Sequence, residues 1–478
     1  MPYLTFSSPA GRKSDQPSST DRKIRVRSKW AEFSFAFHFG TLLFCITDFS
    51  FPFGADMGAS YGAERSATTV DIAGNQSPLP ILTIDQAIRQ ALDHNPALAG
   101  ERARINRDQA RAVWSGELPD PKLVVGEQYF PINFNLGASV LTMTTVGIRQ
   151  DFAPWGKRDL LRRSSTTVVR ASRWDLDDQK NRLVRDIRIL WADLYLDRKE
   201  ERSLRKTRLL WEKVFRVSLA RYRQGTGSAS DVLSAQFQKD SLQDKEDQLR
   251  IRDSKYLNQL MERMHTSRPF RISDDAPLPG PSVPYASLVK RLDRHPALQR
   301  MKSLEEAQKL QIRAARKDKI PAVSVEGDYS YFMGPNLITQ TPNLFSLLLS
   351  FNLPVRPGER QDQRIAEEEN QLEIRVAEQE HLKQHFLEKI RETETIDRLL
   401  EKRIRLYDRV LLPEARRNME AALAGYSTGT LKMEGVLSAM QNVQKVEIGV
   451  WDARSEHLKS RAELAYLSGI FQGGIHEP

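Results

Sequence analysis

Cysteine is almost missing from this chain: its 478 residues hold one, Cys45. A disulfide framework and a thiolate metal cluster are therefore excluded, since both need several thiols. Aromatic residues are few, at 8%. After about residue 55 no stretch supplies the roughly 18 apolar residues a membrane-crossing helix needs, which excludes a helical membrane bundle. Catalytic signatures are missing too. There is no phosphate-cradling G-x-x-x-x-G-K-[ST], no H-E-x-x-H and no G-x-S-x-G, and the eight histidines are scattered. Neither a catalytic residue nor a metal ligand is assigned, and no cofactor is expected. His94 and His295 both sit beside a proline, where a structural role is expected.

Charge is abundant but mixed. Lys and Arg number 72 against 62 Asp and Glu, a net of +10. The segment from Asp21 reads as an export signal: Arg22, Lys23, Arg25, Arg27 and Lys29 precede an apolar run from Phe33 to Ile46. Residues 1–55 are accordingly expected to be removed, with 56–80 as the mature amino-terminal segment. The remainder carries 65 basic and 58 acidic groups, or +7. These charges are spread along helices rather than gathered in a patch, so nucleic acid is not an expected partner. Cys45 lies inside the apolar run behind the bulky Leu42-Leu43-Phe44, which argues against lipid attachment there.

Long helices dominate the rest of the chain. Val169, Leu176, Leu183, Ile187, Leu190 and Leu194 recur at heptad spacing in an unbroken stretch from residue 157 to about 222. Such a helix is on the order of 100 Å long. A returning helix carries Leu242, Leu249, Tyr256 and Leu260. Before this hairpin, residues 122–130 and 141–152 read as two strands. Residues 269–284 are a proline-rich link, and then the plan repeats. His295-Pro296-Ala297-Leu298 answers Asn95-Pro96-Ala97-Leu98; Ile320-Pro321 answers Leu118-Pro119; Pro354 answers Pro154; Gly425-Tyr426-Ser427-Thr428-Gly429-Thr430 answers Arg221 to Thr226. The offset stays between 200 and 204, so the chain is a duplication: residues 81–268 and 285–470, the latter with strands 322–332 and 343–353 and a helical hairpin over 358–470, with 471–478 as a tail. Pro413 is expected to kink the second long helix.

The strands of the second repeat are the most informative. Val323, Val325, Tyr329 and Tyr331 alternate with Ser324, Glu326, Asp328 and Ser330, and Phe345, Leu347, Leu349, Phe351 and Leu353 share one face of the next strand. This is a period of two, over roughly the ten residues a tilted strand needs to cross a bilayer. Tyr329, Tyr331 and Phe332 fall where an interfacial girdle would lie. Four strands cannot close a barrel, because the smallest membrane barrels have about eight, and an open sheet edge is not tolerated in lipid. Strands that span a membrane here must therefore share a barrel with other copies. A soluble hairpin beside a periplasmic coiled-coil scaffold is the rival reading.

The motifs L-T-I-D-Q-A-I…N-P-A-L, L-P-D-P-K-L, P-W-G-K-R, L-P-E-A…A-L-A-G-Y-S-T-G-T and V-L-S-A, in this order over residues 80–470, resemble the TolC-type outer-membrane efflux proteins. The resemblance implies a mainly α fold with membrane β: a homotrimer whose 12-stranded β-barrel in outer-membrane lipid continues into a periplasmic α-helical barrel. It implies a passive duct, docked through a periplasmic adaptor protein to an inner-membrane pump of the resistance–nodulation–division type. L-P-D-P and P-W-G-K-R are similar to the heavy-metal cation branch; drug efflux and type I secretion are the alternative cargoes. By the same resemblance, Tyr222, Gly225, Thr226, Tyr426, Gly429 and Thr430 would form the adaptor-contacting tips. Asp231 and Glu434 would lie at the periplasmic aperture, while Gly435 and Ser438 stand where some relatives carry gating aspartates. In the barrel, Glu326 and Asp328 would face the lumen and favour cations.

Overall fold

The computed structural model describes residues 79–129, 132, 141–273, 284–332 and 343–469. The expected signal segment, the mature amino-terminal segment up to residue 78, most of the linker, most of the turns between paired strands and the tail lie outside the described residues.

Each repeat opens with a pair of short helices. In the first, α1 (Ile84–His94) is started by Thr83, whose hydroxyl accepts from the Gln86 backbone while the Gln86 side chain accepts from the Thr83 backbone N–H. Asn95 then caps α2 (Pro96–Trp114), with Pro96 in the first turn, where its missing N–H costs nothing. The second repeat copies this with α5 (Tyr285–Leu292), His295 as cap and α6 (Pro296–Arg316). Two-residue strands β1 (Ile81–Leu82) and β4 (Arg271–Ile272) pair in parallel and tie the start of the first repeat to its end.

The Asn95 and His295 caps do the same work with different chemistry. Asn95 Oδ1 accepts from the Ala97 N–H at 2.9 Å while its amide donates to the Arg263 carbonyl at 2.8 Å. His295 Nδ1 accepts from the Ala297 N–H at 3.2 Å, which leaves the proton on Nε2 facing the Tyr466 carbonyl at 3.1 Å. Each cap thus joins its helix to the far end of its own repeat's hairpin. The imidazole is fully buried, and that burial holds its pKa down at about 4.

The strands β2 (Lys122–Gln128), β3 (Met143–Phe152), β5 (Ala322–Phe332) and β6 (Leu344–Asn352) form one antiparallel sheet in that order. β3 and β5 join the two repeats with Val146 opposite Tyr329 and Gly147 opposite Asp328. Leu123, Val125, Val146, Ile148, Tyr329, Tyr331, Phe345, Leu347, Leu349 and Phe351 are exposed on one face. The opposite face is mostly polar, though β6 places Leu344 and Leu348 on it: Ser330 and Thr145 hydroxyls lie 2.9 Å apart, Ser324 donates to Asp151 at 2.7 Å, and Arg149 pairs with Glu326 at 3.6 Å. Among the described residues nothing pairs with the outer edges of β2 and β6.

The long helix α3 (Lys157–Arg223) runs 67 residues without a break and returns as α4 (Ala229–Met264). The heptad positions Val169, Leu183, Ile187, Leu194, Leu242, Leu249 and Leu260 are buried. In the second repeat α7 (Gln361–Leu406) passes through a five-residue π-helical turn, Tyr407–Leu411, into α8 (Leu412–Thr428), and α9 (Met433–Leu467) returns. The break expected at Pro413 is taken up by this wider turn, which satisfies the carbonyls that the proline ring would crowd. Tyr407 packs onto Gly449 of α9, and Asp408 pairs with Arg454 at 2.8 Å. No helix among the described residues is long and apolar enough to cross a membrane.

Candidate functional site at the helix-turn tips

The two hairpin turns are built alike. In the first, Gly225 takes φ 73°, and the amides of Thr226 and Gly227 both donate to the Arg221 carbonyl. In the second, Gly429 takes φ 81°, and the amides of Thr430 and Leu431 both donate to the Gly425 carbonyl. A left-handed residue lets the backbone fold over the helix end and satisfy its last carbonyls, and glycine bears that conformation without strain. The Thr226 and Thr430 hydroxyls add a bond to the same two carbonyls.

The tyrosines break the symmetry. Tyr222 is 51% exposed at the tip surface, but Tyr426 is 2% exposed. Tyr426, expected beside Tyr222 among the contact residues, therefore lies beneath the surface, because the neighbouring hairpin covers it. Its hydroxyl donates to Asp231 Oδ2 at 3.1 Å and lies 2.8 Å from Ser218 Oγ. Arg221 donates to the Tyr426 carbonyl at 2.6 Å, and its guanidinium stands 4.9 Å from the ring centroid. Burial pushes the Tyr426 phenol above its ordinary pKa, so it remains a donor. Below it Trp211, Val214, Ala235, Met433, Val436 and Met440 close an apolar plug between the hairpins. Asp231 is thus drawn into a bridge between the two turns. Glu434 is exposed, as are Gly225, Thr226, Gly429 and Thr430.

In the sheet, Glu326 and Asp328 share the polar face. Glu326 is answered by Arg149, whereas Asp328 is 8% exposed and its Oδ1 has no hydrogen-bond partner. The carboxylate lies over Gly147, and a Cβ there would collide with it. Among the described residues no cluster of histidine, cysteine or carboxylate side chains is arranged to hold a metal ion.

Two long helical hairpins and a four-stranded sheet with one apolar face, in duplicate order, now stand beside known proteins. Residues 288–470 match the sequence profile described as outer membrane efflux protein. The second repeat is similar to that family over this span. No curated protein sequence matches the chain. The outer-membrane channel OprN superposes with a TM-score of 0.70 at 15% identity, over 81% of this chain and 89% of its own. CusC, solved in a study of folding and transmembrane channel formation, gives 0.69 at 14% over 84% and 95%. The outer membrane protein VceC of Vibrio cholerae gives 0.67 at 17% over 81% and 96%. The chain therefore has the fold of the outer-membrane efflux channels. That family is one of passive channels of the outer membrane rather than of enzymes.

Proposed function

We propose that this protein is the outer-membrane exit duct of a tripartite efflux system, receiving substrate from an inner-membrane pump through a periplasmic adaptor. The observation that carries the reading is the sheet: one apolar face, one largely polar face and two edges without a partner among the described residues. In lipid each unpaired backbone group costs several kcal/mol, so the edges require partners of the same kind. Three copies would supply 12 strands and close one barrel, with six helical hairpins as the periplasmic tube. The helix-turn tips are then the surface met by the adaptor, and Asp231 and Glu434 lie beside the aperture. Nothing in such a duct consumes energy; the pump drives transport. The test is fractionation of the native protein: a heat-sensitive trimer in the outer membrane is expected, and a water-soluble monomer refutes the reading.

Cations are the charge class that Glu326 and Asp328 would favour, since both carboxylates stand on the face that would line the barrel, and heavy-metal cations are the cargo proposed from the L-P-D-P and P-W-G-K-R resemblance. Single-channel recordings with Glu326→Lys and Asp328→Lys test this. Cation preference is expected to fall or reverse, and conductance indifferent to both changes refutes the cation bias; drug efflux and type I secretion are the alternative cargoes.

A further inference from the structure

Where each strand pair meets its long helix the chain makes a short knuckle, Pro154-Trp155-Gly156 in the first repeat and Pro354-Val355-Arg356 in the second. Each presents a bare apolar side chain: Trp155 is 92% exposed and Val355 81%. Both knuckles line or flank one cavity of about 830 Å³, whose lining carries Lys157, Arg158, Arg356, Arg360 and Arg364 together with the carboxylates of Glu117, Asp151, Asp318 and Glu359. Lys157 is held by Asp318, and Arg158 donates to the Gly116 carbonyl at 3.0 Å. Among the described residues Arg356 pairs with the exposed Glu359, at 3.8 Å, and Arg360 makes no ion pair.

Their depth is set by the sheet. The nine residues of β6 rise about 30 Å, or about 23 Å after a tilt near 40°, close to the height of the apolar band of a membrane barrel. The exposed apolar face runs from Tyr329, Tyr331 and Phe345 at one end to Phe152, Phe351 and Leu353 at the other. Trp155 and Val355 sit one step beyond that lower edge, on the helix side. That is the headgroup layer, where an indole places its apolar body in acyl chains and its N–H in water.

We propose that this knuckle binds an anionic phospholipid of the periplasmic leaflet, with Trp155 and Val355 seated among its acyl chains and Arg356 and Arg360 on its phosphate. The inference rests on the outer-membrane reading above. It adds a lipid site that the duct itself does not require. Arginine suits the ligand because its planar fork pairs two N–H groups with two phosphate oxygens.

The test is native mass spectrometry of the full trimer in detergent, offered phosphatidylglycerol or phosphatidylcholine. The wild type is expected to retain phosphatidylglycerol on the order of tenfold better, and Arg356→Gln with Arg360→Gln to lose that preference with the trimer intact. A polarity-sensitive dye on Trp155→Cys, in a chain without Cys45, is expected to shift to the blue only when lipid is present. Equal retention of the two lipids, an unchanged preference in the double variant, or a dye already shielded in the lipid-free trimer each overturn the proposal. The last outcome would mean that a neighbouring subunit covers the knuckle. A trimer in the outer membrane without lipid preference sinks this inference alone, whereas a soluble monomer sinks the duct as well.

Discussion

Tyr426→Phe isolates the contribution of the buried hydroxyl to holding the two tips together. The ring stays in the apolar plug and under the Arg221 guanidinium, so packing is conserved. The substitution removes the bond to Asp231 at 3.1 Å and the contact with Ser218 at 2.8 Å. A hydrogen bond to a charged acceptor is worth about 1.5–3 kcal/mol and a neutral one about 0.5–1.5. Asp231 is half-exposed, so water replaces part of the first, and together they come to about 2 kcal/mol. The ratio of joined to separated tips should therefore fall by roughly 30-fold. Spin labels at Arg223→Cys and Ser427→Cys, both exposed, would read this as a longer and broader tip-to-tip distance. Asp231→Ala should have a similar effect, and the double variant should cost clearly less than the two added. Strict additivity within about 0.5 kcal/mol, or an unchanged distance distribution, would refute the bridge.

Four other outcomes are expected. His295 binds a proton in the unfolded chain near pH 6.5 but in the folded one only near pH 4, so the unfolded state holds more protons between these values and stability must fall as pH drops through that window. The loss approaches about 3 kcal/mol, and His295→Asn, which copies the cap at Asn95, should flatten the dependence measured by thermal unfolding. Gly147→Val should prevent assembly of heat-sensitive trimers because its side chain meets the Asp328 carboxylate and the Gly327 carbonyl, and Gly147→Ala should be rescued only in part by Asp328→Ala on the same gel, since the backbone contact stays. Gly449→Ala should lower thermal stability by about 1–3 kcal/mol, since an added Cβ would stand 2.8 Å from the Tyr407 hydroxyl, and Tyr407→Phe should restore part of it. A bulky residue at Gly225 or Gly429 strains the turn by about 1–2 kcal/mol. It should abolish cross-linking to the adaptor while leaving trimers intact; cross-linking that persists counts against adaptor contact at the tips.

Much of the architecture was legible because its signals are long. The period of two in residues 322–332 and the heptads of Val169 to Leu194 run far enough for spacing alone to fix strand or helix, and the ordered matches near offset 200 expose the duplication. Short or relational features were not legible. β1 and β4 are two residues each, and only their pairing defines them. The π turn before Pro413 has no composition of its own; a kink was readable, but not that the helix would widen and continue. Most telling is the pair Tyr222 and Tyr426. They occupy the same place in the same motif, and one is bare while the other is buried, because Arg221 is matched in the second repeat by Gly425, which has no side chain to reach across. The His295 cap was half visible. Its place before a proline marked it as structural, but the bond to the Tyr466 carbonyl, 171 residues away, exists only in the folded chain.

That inequality of the turns would matter to an adaptor docking on them as proposed. Three copies set about one axis would offer six landing points in alternation, every second one bearing a bare phenol ring and the rest a smooth threonine-glycine cap. A ring of identical docking subunits would find two unlike seats. Its binding should then saturate in two steps, three at a time, rather than in one.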